Sequence, residues 1–500
     1  MYMKLKSLLL LLSAFSIISC VKHDFDEYPN EDASSFTEIS SLQIGGEGAA
    51  EITAYDPSTK KLFVVTNSGA FSQIDIVDLS NPAVPAPIGS IDITPYGGGV
   101  NSVSVSNGKL AAAVEGFAKT DAGKIIIFKT SDNSLVKEVI VGALPDMVTY
   151  SPDGKYILSA NEGEPNDAYT IDPVGTVSII SVKDNYAVTT LDFASFAPQA
   201  AALKAKGLRI YGLNASFEKD IEPEYVTIDA NSTTAWVTLQ ENNAIAKINI
   251  RAKKITAIFP LGFKNYNSAA NAIDPSDKDN AILPGQWQVN GMYEPDGIAV
   301  YENRGIPYLF TANEGDARDY PGYSEIKRVK DLSLDLTAFP DATIKQDAKL
   351  GRLNVTKTLG DTDADGDYDQ LFSLGARSFS VWNGWNGERV FDSGNELEKK
   401  CIDALNYDDA RSDDKGVEPE GMTIGYVGRK VIAFVGMERS DAVAIYDISN
   451  PTSPKFLKLL KCGDAPEGLT FIHASESPNQ KSLLVVSSEN DGVIKVYAVN

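Results

Sequence analysis

The feature that most constrains this chain is a short phrase that it repeats. Pro145-Asp146-Met147-Val148-Thr149-Tyr150 returns as Pro223-Glu224-Tyr225-Val226-Thr227-Ile228 and as Pro295-Asp296-Gly297-Ile298-Ala299-Val300. It returns again as Pro419-Glu420-Gly421-Met422-Thr423-Ile424 and Pro466-Glu467-Gly468-Leu469-Thr470-Phe471. Each copy is a turn proline, one carboxylate and a β-prone run. Aligning on it gives seven units, marked by Ala50, Asn101, Asp146, Glu224, Asp296, Glu420 and Glu467, with spacings of 51, 45, 78, 72, 124 and 47 residues. The short spacings match a four-stranded propeller blade, and the long ones a blade carrying an insertion.

The expected fold is therefore all-β: a seven-bladed β-propeller with helical and loop insertions, spanning residues 38–500 as a single domain. In the unit at Asp146, Met147–Tyr150, Tyr156–Ser159 and Gly175–Ser181 read as strands. Ser151-Pro152-Asp153-Gly154-Lys155 is the hairpin turn between the first two. The last unit offers Gly468–Phe471, Leu483–Ser487 and Val493–Val496 and then stops. Ile39–Ile44 is the expected fourth strand, which would close the last blade and remove its open edge. The fifth unit is interrupted at about 320–372, where Ser324–Leu332 and Asp341–Leu350 read as helices. Phe193–Ala205 also reads as helical.

Lys4 and Lys6 precede an apolar stretch too short to span a membrane, which reads as a signal peptide over residues 1–19. It ends Ile17-Ile18-Ser19-Cys20, similar to the lipobox of bacterial lipoproteins, which makes Cys20 the expected lipidation site and residues 20–37 a tether. That places the protein in a bacterial cell envelope, anchored to the outer membrane and facing the periplasm or the cell surface. No later stretch is apolar enough to span a membrane. The net charge is −23, which argues against nucleic acid and against docking on anionic lipid. Cys401 and Cys462 do not specify a disulfide scaffold.

In a propeller the innermost strand lines the axis, so Asp146, Glu224, Asp296, Glu420 and Glu467 should crowd one mouth of the channel. A second series follows the next strand: Glu115, Glu162, Glu241, Glu314, Glu438 and Glu489, with Asn67 in the first unit. That strand runs antiparallel to the first, so both series belong to one face. So many carboxylates must bind cations, pair with basic side chains or hold protons. Oxygen-only ligands suit Ca²⁺ or Mg²⁺ rather than zinc. Arg209, Arg318, Arg377 and Arg439 are available as internal partners, and the first three also as an anion-binding fork beside a metal. The loops Glu162-Gly163-Glu164 and Glu314-Gly315-Asp316 leave the same mouth.

One loop is sharper. Asp361-Thr362-Asp363-Ala364-Asp365-Gly366-Asp367-Tyr368-Asp369 places oxygen ligands at the first, third, fifth and ninth positions and glycine at the sixth, the calcium-loop spacing. Phe372 stands where that loop normally ends in a bidentate glutamate. The expected occupant is a structural Ca²⁺.

Gly375-Ala376-Arg377-Ser378-Phe379-Ser380-Val381-Trp382, followed by Phe391-Asp392-Ser393-Gly394-Asn395-Glu396-Leu397-Glu398, resembles the signature of the choice-of-anchor I bacterial surface proteins. Thr311–Tyr320, Glu222–Ile228 and Val417–Met422 extend the resemblance, which covers roughly residues 39–500. It implies a secreted propeller with a variable attachment device, here the Cys20 lipid. Some relatives are described as alkaline phosphatases and others as cell-surface glycoproteins. Two functions stand side by side at this point. One is surface binding or scaffolding with a divalent-cation mouth, open to an anionic small molecule or glycan through a bridging metal. The other is a metal-dependent phosphoesterase acting on extracytoplasmic esters, with Glu162, Glu314, Asp316 and Glu438 as metal or base candidates.

Overall fold

A computed structural model describes residues 30–68 and 71–500. The signal segment and Cys20 lie outside the described residues.

Among the described residues there are seven four-stranded antiparallel sheets, with short helices and loops between them. Their first strands are Ala49–Asp56, Val100–Ser106, Pro145–Tyr150, Val226–Ile228, Ile298–Asn303, Pro419–Val427 and Pro466–Ile472. The third sheet continues through Tyr156–Asn161, Thr176–Ser181 and Ala187–Leu191, close to the expected spans. The seventh takes Leu483–Ser488 and Val493–Ala498, and its outer strand is Thr37–Gln43 from the N-terminal side, paired antiparallel from Thr37 opposite Ala498 to Gln43 opposite Val493.

Middle strands such as Thr176–Ser181 and Leu483–Ser488 are buried along their whole length. Each sheet is covered on both faces, so these strands bury every residue rather than alternating buried with exposed ones. One face of the third sheet packs Ile157 and Ile180 on Ala111 and Ile125 of the second. Its other face packs Leu158 and Ile179 on Ala235 and Val237 of the fourth. The same sharing recurs between every consecutive pair, and also between the seventh and the first, through Leu483, Val485, Leu62 and Val64. The first strands follow suit. Each contacts the next, and Pro466–Ile472 contacts Ala49–Asp56.

The expected hairpin turn forms as read. Gly154 adopts φ +67°, its N–H donates to the Ser151 carbonyl at 2.7 Å, and the Ser151 N–H donates to the Tyr156 carbonyl at 2.9 Å. Phe193–Ala205 is a 3₁₀ turn, Ala194–Gln199, running into a short helix, Ala200–Lys204.

The long segment between Ile306–Asn313 and Ser378–Asn383 departs from expectation. Neither expected helix is present. Ile326–Arg328 is a strand that pairs with Asn354–Thr356, and single 3₁₀ turns occupy Val329–Asp331, Ala342–Lys345 and Leu350–Arg352. The apolar residues that suggested helices, among them Leu332 and Leu350, instead fill a separate small core with Tyr266, Val289 and Phe339. Cys401 and Cys462 are free thiols.

Candidate functional site

At the repeated phrase, five of the seven first strands carry an irregularity at the marker residue, as at Pro145/Met147, Pro419/Met422 and Pro466/Leu469. The glycine that follows the carboxylate in three copies has a packing reason. A Cβ on Gly297 would lie 2.4 Å from the Glu420 carbonyl oxygen, and one on Gly421 2.6 Å from that of Glu467. One on Gly468 would lie 2.4 Å from that of Glu51. At these three places the carboxylate-bearing backbone of one sheet is pressed against the glycine of the sheet before it. This series also corrects the alignment in the first sheet. Glu51, not Ala50, stands in the marker place, because the irregularity between Ala49 and Thr53 holds one more residue than its counterparts.

The markers open into a cavity of about 380 Å³. Nine carboxylates line it: Asp146, Glu162, Glu164, Glu224, Asp296, Glu314, Asp316, Glu420 and Glu467. No lysine, arginine or histidine is among its lining residues. Burial pushes the Asp146 and Asp316 carboxyls up to about 6, with the charge of Glu164 adding to the first. It raises Glu162, Glu224, Asp296, Glu420 and Glu467 well above the ordinary carboxylate range, and neighbouring carboxylates raise them further. Glu224, Glu420 and Glu467 each keep one buried carboxylate oxygen without a hydrogen-bond partner.

Members of both expected series meet at this face. Glu162 and Glu314 line the cavity. Glu241 lies just behind it, with a carboxylate oxygen within 4.8 Å of those of Glu162 and Glu224. Asp296, Glu314 and Glu420 form a second such group, and Glu314, Glu418 and Glu438 a third. Glu438 pairs with Arg439 at 2.8 Å and is pushed up to about 7, by burial first and by Glu314 second. Glu489 and Glu51 form a flank of their own. Glu51 is raised to about 8 by burial and then by the Glu489 charge, while the Asn67 side-chain amide donates to it at 3.0 Å.

Few cations reach this face. Lys415 pairs with Glu314 at 2.6 Å and with Glu418 at 3.2 Å. Lys119 pairs with Glu164 at 2.7 Å, and the Tyr320 hydroxyl donates to the other oxygen of Glu164 at 2.6 Å. Lys415, Lys119, Tyr320, Glu418 and Gln240 were not apparent from sequence. They lie outside the repeated phrase and arrive from insertions or loops.

Arg209, Arg318 and Arg377 do not form an anion fork. Each is 1–2% exposed. Arg209 pairs with Glu294 and Glu325. Arg318 donates to Asp220 at 2.6 Å and to Glu222 at 2.7 Å. Arg377 holds Glu398 at 3.1 Å and donates to the carbonyls of Asp274, Ser412 and Asp414 at 2.8–2.9 Å. Of the two roles open to these residues, the internal partner is the one the geometry supplies. Arg318 and Arg377 turn inward and fasten neighbouring loops and short helices to one another.

The acidic loop of the long insertion brings together Asp361, Asp363 and Asp365, with carboxylate oxygens within 4.8 Å of one another. Gly366, at φ +99°, donates its N–H to Asp361 at 3.1 Å. Asp367 and Asp369 turn away and group with Asp335, which sequence did not suggest. An adjacent parallel bridge, Leu334 to Tyr368, brings Asp335 there.

No helix among the described residues is long and apolar enough to cross a membrane. The model of one protein family, described as the choice-of-anchor I domain, matches residues 51–451. Gigasin-3a of Magallana gigas is 29% identical over 191 residues, 31% of this chain and 67% of that protein. The mesenchyme-specific cell surface glycoprotein of Strongylocentrotus purpuratus is 26% identical over 381 residues, 65% of this chain but only 47% of the glycoprotein. Among solved structures, the RRP9 WD40 repeats align with a TM-score of 0.49 at 8% identity, covering 94% of this chain and 99% of that one. Hydrazine synthase of Kuenenia stuttgartiensis aligns with a TM-score of 0.48 at 11% identity, covering 91% and 96%.

Proposed function

The chain belongs to the choice-of-anchor I family, and from that premise we propose that it is a surface-associated, seven-bladed closed propeller whose acidic mouth binds divalent cations in a binding or scaffolding role. The cyclic sharing of apolar layers, with Thr37–Gln43 completing the seventh sheet, supports the closed ring. The lipid on Cys20 is the proposed attachment device, holding the ring at the envelope of a bacterial cell. Ca²⁺ is the proposed ion at the mouth, with Mg²⁺ a competitor. A further Ca²⁺ is proposed at Asp361, Asp363 and Asp365, where it would order the long insertion.

The observation that carries the reading is the lining of the cavity: nine carboxylates and no basic side chain. A site for a phosphate ester needs positive charge aimed at the ester oxygens. Here the three buried arginines are enclosed by carboxylates and carbonyls elsewhere, and Lys415 and Lys119 are paired at the rim. A phosphoesterase would have to draw all of that charge from the metal. The test is Ca²⁺, Mg²⁺ and Mn²⁺ binding by the mature protein, alongside hydrolysis of a panel of phosphomonoesters and phosphodiesters with each ion. Binding without turnover is expected. Turnover that chelator abolishes and metal restores would replace the binding role with the phosphoesterase.

A further inference from the structure

Resting on the reading that the mouth binds divalent cations, we infer that one particular Ca²⁺ site is formed by Glu162, Glu224 and Glu241, at the boundary of the third and fourth sheets. Glu162 follows the strand Tyr156–Asn161. Glu224 leads into Val226–Ile228, and Glu241 follows Thr234–Leu239. One carboxylate oxygen from each lies within 4.8 Å of the other two.

Three independent features separate this group from the other acidic clusters. It is the most enclosed: Glu162, Glu224 and Glu241 are 8%, 8% and 2% exposed. Two of its oxygens, Glu224 Oε2 and Glu241 Oε2, are buried without any hydrogen-bond partner. Its carboxylates lack a direct ion pair. Among the described residues no lysine or arginine nitrogen pairs with any of the three carboxylates; Arg209 donates only to the Glu241 backbone carbonyl at 3.1 Å, and nearby Arg318 is held by Asp220 and Glu222. By contrast, Glu314 belongs to both other mouth clusters and is already held by Lys415 at 2.6 Å and by the Gln240 amide at 3.0 Å.

Three close carboxylates in a water-poor space need compensation by a cation of their own. The donor set fixes the class of ion. It is oxygen only, with no histidine or thiolate, which selects a hard cation. Three carboxylates offer up to six oxygens, matching the six to eight that Ca²⁺ takes, whereas Mg²⁺ keeps several waters and asks for a stricter octahedron. The ion has a route in, because Glu162 and Glu224 also line the open cavity. Two ligands come from one sheet and one from its neighbour, so the bound ion would also clasp adjacent sheets.

The test is Ca²⁺ titration calorimetry of the mature chain carrying Asp363→Asn and Asp365→Asn, which silence the insertion loop. In that background Glu241→Gln and, separately, Glu224→Gln should each weaken Ca²⁺ binding by at least about 100-fold, beyond the roughly 10–100-fold that loss of an outer-shell partner costs. Glu302→Gln, exposed near the far end of the strand Ile298–Asn303, should leave the affinity within a few-fold. Both substitutions keep side-chain shape and put a neutral amide where the metal-free protein must neutralise a buried carboxyl, so in chelator the variants should melt no lower than their parent. If Glu241→Gln and Glu224→Gln keep the parent's affinity, the mouth binds the ion elsewhere and this assignment is wrong. If the loop-silenced parent binds no Ca²⁺ at all, the reading of the mouth fails as well.

Discussion

Replacing Arg318 by Met distinguishes a framework residue from a ligand-binding one. The guanidinium is 1% exposed and donates to Asp220 at 2.6 Å, to Glu222 at 2.7 and 3.1 Å, and to the Asp220 carbonyl at 2.8 Å. Methionine fills much of the volume and supplies none of these bonds. Asp220 and Glu222, both fully enclosed, would be left as buried carboxylates without their cation. Breaking such a pair from one side costs about 3–5 kcal/mol, mostly through the orphaned charge. With an unfolding entropy near 2.1 cal/mol/K per residue, a chain of this length loses roughly 1 kcal/mol of stability per degree near its midpoint. Arg318→Met should therefore lower the melting temperature by about 3–5 °C. Adding Asp220→Asn and Glu222→Gln should restore part of that loss, because the orphaned charges are removed with it. Differential scanning calorimetry in chelator reads both effects, and phosphate binding measured in parallel should be the same in parent and variant. A variant that melts within about 1 °C of its parent yet loses affinity for phosphate would refute the framework role and reinstate the arginine as an anion ligand.

Other consequences follow from the same contacts. Burial raises Glu51 to about 8 from an ordinary value near 4.5, so the folded, metal-free protein holds a proton that the unfolded chain releases. That contribution to stability is complete below pH 4.5 and is lost as the pH rises through 8. The melting temperature in chelator should fall across that window, and Glu51→Gln should flatten the slope. Gly315→Ala should cost at least about 2 kcal/mol in denaturant titrations, since Gly315 adopts φ +88° and an added Cβ would lie 2.1 Å from the Gly375 nitrogen. Deleting residues up to Gln43 removes the partner of Val493–Ala498 and leaves an open edge. Size-exclusion chromatography should then show self-association that the intact chain lacks.

Much of the sheet framework was legible in sequence because the chain states it repeatedly. A buried strand of four to six β-prone residues, a Pro/Gly turn and a carboxylate at a fixed phase are local signals, and each recurrence corrects the reading of the others. What was not legible depends on partners distant in sequence. Ala50 was aligned in place of Glu51 because an extra residue in a strand irregularity is invisible until the contact of Gly468 with the Glu51 carbonyl fixes the phase. The supposed helices of the insertion failed for a related reason. Leu332 and Leu350 are spaced loosely enough to suit a helix, but they bury against Tyr266 and Val289 from another segment. Sequence grouped the carboxylates of the two series at one face, and nine carboxylates do line the cavity. Which of them carry a countercharge was not, because Lys415 reaches Glu314 across 101 residues of sequence and the arginines reach acids that stand outside both series.

The account rests on the mouth holding divalent cations, and equilibrium dialysis of the loop-silenced Asp363→Asn, Asp365→Asn protein against radioactive Ca²⁺ at neutral pH measures that directly. At least one Ca²⁺ bound per chain, displaced by chelator and insensitive to added phosphate, is the predicted result. No retained Ca²⁺ across the millimolar range would contradict it, and would mean that the nine carboxylates are held together by protons and the rim lysines alone.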